Sequence, residues 1–124
     1  MLAKDIMNTD IITINVFSDV KDLIKLLVEG KTDSLPVCDN SGRVLGMAGV
    51  AELIKVKPGQ LVHDIMVRNF VSVKIDNTLE EIAAIFLMFS SLGQIPVFDA
   101  EKLVGVIKRT DILKKLARSR PEGE

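Results

Sequence analysis

Two rhythms of hydrophobic and polar positions alternate along the chain, and their succession occurs twice. β-Branched runs over residues 11–16 and 70–75 predict strands. Each run leads into apolar residues at helical spacing. Val20, Leu23, Ile24 and Leu27 predict a helix over 20–29, and Leu79, Ile82, Ile85 and Phe86 predict one over 79–90. Thr78 with Glu81 three residues on forms a capping box at the second start, and Asp19 holds the matching place at the first. A Pro-led strand follows in each half, then a polar turn at 39–42 or 99–102, then a third strand at 44–48 or 103–107. Two-turn helices at 51–55 and 110–116 close the halves. A short opening turn, at 62–66 in the second half, precedes a β-α-β-β-α order found twice. Lys57-Pro58-Gly59-Gln60 breaks the pattern, giving units of 1–57 and 58–117 and a polar, fraying tail at 118–124.

The halves also align residue by residue. Asp5-Ile6-Met7 returns as Asp64-Ile65-Met66, an offset of 59. Leu35-Pro36-Val37 with Asp39 meets Ile95-Pro96-Val97 with Asp99 at an offset of 60, and Gly46 meets Gly105 at 59 again. The slips fall at a helix-to-strand connection and in a hairpin, where length changes are tolerated. A unit of about 55 residues buries too little surface to be secure alone. The expected architecture is therefore α+β, two repeats packed as a pseudo-twofold pair with sheets facing each other and helices outside. Such packing leaves clefts where the copies meet, which are natural ligand sites.

Composition narrows the function classes. With 48% hydrophobic residues and a mean hydropathy of +0.30, the 124 residues hold enough apolar material for a packed interior. Sixteen Lys plus Arg against seventeen Asp plus Glu leave a formal charge of −1, which argues against a nucleic-acid partner. Aromatic residues are 4%, all Phe, so base-stacking platforms are scarce. The single Cys38 and single His63 supply neither a disulfide nor a Cys/His metal cluster. No nucleophile–base pair or Gly-rich phosphate loop appears, so no catalytic or metal site is expected. The longest apolar run, residues 82–89, is far short of a membrane span. Charge at Lys4 and Asp5 falls where a signal peptide is apolar, so a cytoplasmic location without membrane association is expected.

Three groups of residues resemble the CBS-domain family, and specifically a tandem pair or Bateman module. They are Asp-Ile-Met opening each unit, Leu35-Pro36-Val37-Cys38-Asp39 and Ile95-Pro96-Val97-Phe98-Asp99 in mid-unit, and Gly105-Val106-Ile107-Lys108-Arg109-Thr110-Asp111 near the end. The resemblance covers roughly residues 1–117. It implies a flat disc that commonly forms a homodimer, with clefts that bind AMP, ADP, ATP or S-adenosylmethionine. It further implies regulation of a partner enzyme or transporter, not catalysis; a stand-alone pair acts in trans, whereas a piece of a longer protein acts on its own chain.

The resemblance also implies the site residues. Asp111, at a helix start, accepts from both ribose hydroxyls, with Val106 in the same motif. The family's Ser or Thr three residues before it is Lys108 here, a point charge that suits a phosphate or, by its bulk, blocks the pocket. In the first copy Glu52 replaces the Asp and Gly49 the hydroxyl, so one competent site and one weak or empty site are expected. Each pocket is completed by the other copy: Asp19, Ile24 and Ser34 join Asp111, while Thr78, Ala83 and Gln94 join Glu52. Neither Asp33-Ser34 nor Gly93-Gln94 is basic, so phosphate charge falls to Lys108 and Arg109, helped by Arg43 or Arg68. Asp19 repels a polyphosphate, which favours AMP or an adenosyl compound over ATP.

Plainer readings stand beside these. Asp111 serves the dipole of its own helix, Lys108 and Arg109 are solvated charge, Thr78 is a cap, and His63 is a surface or capping residue. Cys38 is a small buried hydrophobe. Phe86, Met88 and Phe89 are core or dimer contacts, and Leu87 beyond the main helical face suggests self-association. Two functions follow: a ligand-sensing regulatory module, or a structural dimerisation pair with degenerate, unoccupied clefts.

Overall fold

A computed structural model describes residues 1–119. The elements in chain order are α1 (Ala3–Ile6), β1 (Ile14–Asn15), α2 (Val20–Gly30), β2 (Ser34–Cys38), β3 (Val44–Gly49), α3 (Val50–Leu53), α4 (Val62–Ile65), β4 (Val73–Lys74), α5 (Leu79–Met88), β5 (Gln94–Asp99), β6 (Lys102–Lys108) and α6 (Arg109–Ser119). The fold is α+β, with two three-stranded sheets ordered β1-β2-β3 and β4-β5-β6. In each sheet the first strand runs parallel to the middle one and the third runs antiparallel to it.

The β-branched runs pair over far less length than their composition suggests. Only Ile14–Asn15 and Val73–Lys74 form strands, in register with Val37–Cys38 and Val97–Phe98. One step back along the middle strands stand Pro36 and Pro96, which bring no N–H to a ladder, so pairing stops there. The helices shift as well. α5 ends at Met88, two residues before the expected Ser90, because Phe89 leaves the helical region (φ −116°, ψ 82°). α3 is a single turn, whereas its counterpart α6 runs eleven residues. Residues 118–119 of the expected tail continue α6, and 120–124 lie outside the described residues.

The compact units cut across the sequence repeats. One comprises residues 1–10 with 72 onward, the other residues 11–71. The opening turn of each repeat therefore packs with the body of the other. In the first unit Ala3 and Ile6 of α1 share a core with Ile82, Phe86, Ile95 and Ile107. In the second, Val62 and Met66 join Leu23, Leu27, Leu35 and Val37. Backbone bonds fix these docked segments. Asn8 exchanges both bonds with Val106 (2.8 and 3.0 Å), as Val67 does with Met47 (2.8 and 2.9 Å). This explains the matched glycines: a Cβ on Gly46 would lie 2.6 Å from the Val67 carbonyl oxygen, and one on Gly105 2.8 Å from Met7 Cγ. Cys38 is buried, and burial pushes its thiol pKa up. Among the described residues no helix is long and apolar enough to cross a membrane.

Candidate functional site

Asp111, Lys108, Arg109, Val106 and Thr78 lie in the unit of residues 1–10 and 72 onward; Asp19, Ile24, Ser34 and Glu52 lie in the other. Each unit has a corner where its third strand turns directly into the next helix. In the first unit β6 ends at Lys108 and α6 begins at Arg109, so Asp111 is the third helical residue. Its Oδ2 accepts the Lys108 backbone N–H at 2.8 Å. In the second unit β3 ends at Gly49, and Glu52 Oε1 accepts the Gly49 N–H at 2.8 Å. Both carboxylates thus hold the amide just before their helix, the returning half of a capping box. Asp5, Asp64 and Glu81 do the same at α1, α4 and α5. For Asp64 and Glu81, donated backbone bonds from Leu61 and Thr78 hold the carboxyl pKa below its ordinary value. One accepted bond does not exhaust a carboxylate, so Asp111 and Glu52 both keep capacity for a ligand hydroxyl.

The corners differ in room. Gly49 faces Ser34 across the β2–β3 ladder, and Val50 donates to the Asp33 carbonyl at 3.0 Å. A Cβ on Gly49 would overlap that Asp33 oxygen and come within 2.8 Å of Ser34 Cα and Cβ. At Gly49, which stands in place of the hydroxyl residue, the space a side chain would take is filled by backbone. At the other corner the matching residue is Lys108, opposite Gln94, with its side chain part exposed. Val106 is buried in β6 beneath that corner.

Arg109 does not stand free as surface charge. Its guanidinium donates to the carbonyls of Phe86 (3.0 Å), Phe89 (3.0 Å) and Ser90 (2.7 Å), and lies 5.0 Å from the Phe86 ring centroid. Phe86 O is one of the last-turn carbonyls that a helix leaves without an intrahelical donor, and Phe89 O and Ser90 O follow just beyond the end of α5. Adjacency in sequence to Lys108 gave no signal of this role.

Thr78 is the cap that its box predicts: Oγ1 accepts from Glu81 N at 3.1 Å, and Glu81 Oε1 accepts from Thr78 N at 2.9 Å. Asp19 caps α2 only by position, because its exposed side chain makes no cap bond. It lines a groove of about 530 Å³ at the start of α2, with Lys21, Val56, Lys57, Gly59 and Gln60. Ile24 is 47% exposed on α2. Ser34 is half-buried, whereas its counterpart Gln94 is 3% exposed. Among the expected helpers, Arg68 Nη2 lies 3.0 Å from His63 Nε2, and Arg43 belongs to the β2–β3 turn, donating its N–H to Asp39 at 3.0 Å. Among the described residues, no group of three or more His, Cys, Asp or Glu could hold a metal ion.

Comparison with known proteins places this geometry. The sequence profile of the CBS domain matches residues 3–59 and 62–118. Inosine-5'-monophosphate dehydrogenase of Methanocaldococcus jannaschii is 28% identical over 116 residues, 91% of this chain and 23% of that enzyme. The uncharacterized protein MJ0188 of the same organism is 27% identical over 115 residues, 90% of this chain and 43% of that protein. The chain thus spans less than half the length of these curated relatives. Among solved structures, CBSX2 of Arabidopsis thaliana is 25% identical with a TM-score of 0.83, covering 94% of both chains. The CBS domain pair of protein MJ0100, in complex with 5'-methylthioadenosine and S-adenosyl-L-methionine, shares the fold at a TM-score of 0.85 and 22% identity, over 97% of this chain and 98% of that one.

Proposed function

The chain belongs to the CBS-domain family, as a tandem pair, and from that membership we propose a regulatory module that binds one adenosine-containing ligand per chain, AMP-like or S-adenosylmethionine-like. The observation that carries the reading is the contrast between the two corners. Asp111 lies in the first turn of an eleven-residue helix and Lys108 brings a cation beside it, so a ribose and one phosphate meet a carboxylate, an ammonium and a helix N-terminus. Glu52 opens a single turn behind a glycine closed in by Asp33 and Ser34, so that corner stays empty. Arg109 is committed to α5 carbonyls, which leaves Lys108 as the phosphate partner and favours a ligand of low charge. CBSX2 has been solved in complex with AMP, and the MJ0100 pair with adenosyl compounds, which supports this ligand class.

The module is non-catalytic and cytoplasmic, and signals to a partner protein. It works as a homodimer: Leu87 (84% exposed), Met88 (74%) and Leu113 (64%) leave an apolar surface that a second copy covers. A second reading, a structural pair without ligand, is favoured by one observation: Asp111 and Glu52 already serve as caps.

A thermal-shift panel with AMP, ADP, ATP, S-adenosylmethionine and NAD separates the two. A ligand at a hundredfold excess over its Kd adds about 2.7 kcal/mol of stability. The sensor reading expects AMP or S-adenosylmethionine to raise the Tm most. If no compound raises it, the structural reading stands.

A further inference from the structure

We propose that Arg109 is the residue through which occupancy of the Lys108–Asp111 turn reaches the C-terminal end of α5; this rests on the ligand-binding reading above. Arg109 is the first residue of α6, between the amide that Asp111 holds and the carboxylate that holds it. Its guanidinium spans the end of α5 from inside the helix to outside it, from Phe86 O to Phe89 O and Ser90 O. The following loop is tethered at its other end too, because Gln94 pairs with Lys108 in the β5–β6 ladder. Residues 89–93 are therefore a short span whose two ends are both fastened to the β6–α6 corner.

The other unit shows that this fastening is not a requirement of the fold. α2 closes itself: Lys31 takes the left-handed conformation (φ 49°), its N–H donates to Leu27 O and Val28 O, and Thr32 N donates to Leu27 O at 3.2 Å. The counterpart of Arg109 there is Val50, 48% exposed, with no guanidinium to offer. α5 has no left-handed cap, and Arg109 supplies the donors that α2 finds in its own backbone.

A ligand seated against Asp111 restrains the turn that carries Arg109, so it binds better when the clasp is closed than when it is open. That difference in affinity is what shifts the population. By linkage, releasing the clasp weakens the ligand by the same factor. The output is the placement of Leu87, Met88 and Phe89, the exposed apolar residues at the end of α5.

Amide exchange at Phe89 and Leu92, whose N–H groups donate to Ile85 O and Phe89 O, reads the clasp directly. With saturating AMP, or S-adenosylmethionine if AMP gives no heat, exchange at both amides slows by roughly fivefold to tenfold, at the low end of the usual range of coupling between sites. In Arg109→Met both amides exchange faster without ligand and no longer respond to it, while calorimetry still registers binding, weakened by a similar factor. Arg109→Lys, which keeps the charge and loses the fork, gives an intermediate response and serves if Arg109→Met does not fold. Binding with unchanged exchange overturns the relay and leaves the ligand-binding reading intact. Faster exchange on binding overturns it too, because the guanidinium has then left the carbonyls for the ligand. Absence of heat with both compounds removes the ligand-binding reading, and the relay with it.

Discussion

The two units are built on one plan and finish it with different means. Both turn a third strand into a helix, and both hold the last strand amide with a carboxylate three residues on, at the same 2.8 Å. They part at the residue before the helix. Gly49 lets the backbone of residues 33–34 close against the corner, whereas Lys108 keeps a side chain and a charge there. They part again at the long helix, since α2 closes itself with a left-handed Lys31 and α5 borrows Arg109. Duplication thus preserves the scaffold and its caps, while a handful of positions decides whether a corner is sealed or equipped.

The largest expected effect lies at Gly49. Gly49→Ala sets a methyl against the Asp33 carbonyl and the Ser34 backbone, which cannot swing aside, and costs about 3 kcal/mol in chemical denaturation. Lys108→Ala, the matching change, stays within about 1 kcal/mol. Equal losses at the two positions would break the claim that one corner is closed by packing.

The ends of the long helices come next. Arg109→Met removes three charge-assisted bonds and the Phe86 stacking contact, and costs about 2 kcal/mol. Val50→Ala, its counterpart, changes stability by at most about 0.5 kcal/mol. Losses at the helix starts are smaller. Thr78→Ala costs about 1 kcal/mol, whereas Asp19→Ala, whose side chain makes no cap bond, costs only a few tenths.

Much of this was legible beforehand. The repeat, the order of elements and the Thr78 box follow from periodicity and spacing, which record local preferences. The short strands β1 and β4 were misread because β-branched composition reports fitness for a sheet; it does not report a partner, and Pro36 and Pro96 withhold one. The exchange of opening turns between repeats was hidden for the same reason: Ala3 and Val62 read alike whichever core they enter. At the site, Asp111 and its counterpart Glu52 were legible through the family resemblance of the motif they close. The Arg109 clasp spans nineteen to twenty-three residues and ends on backbone carbonyls, which carry no side-chain signature.

The smallest effect is a response to acid. Hydrogen bonds hold Glu81 below its usual 4.5, and Asp64 and Asp39 below their usual 3.8. A carboxyl whose folded pKa is depressed stabilises the fold at pH above its unfolded value, and that contribution fades as pH falls through the folded one. Denaturation midpoints should therefore hold steady down to about pH 5 and decline below about pH 4. Thr78→Ala, which loses the hydroxyl bond to the Glu81 backbone and loosens the box, should flatten part of that decline.

Calorimetric titration of AMP into the purified protein, with Asp111→Ala and Glu52→Ala alongside, asks most directly whether the units are unequal. Both variants give up the same cap bond, so their difference isolates the ligand. We predict one AMP per chain, lost in Asp111→Ala and kept in Glu52→Ala. Two per chain, or an Asp111→Ala protein that titrates like the parent, would contradict the account.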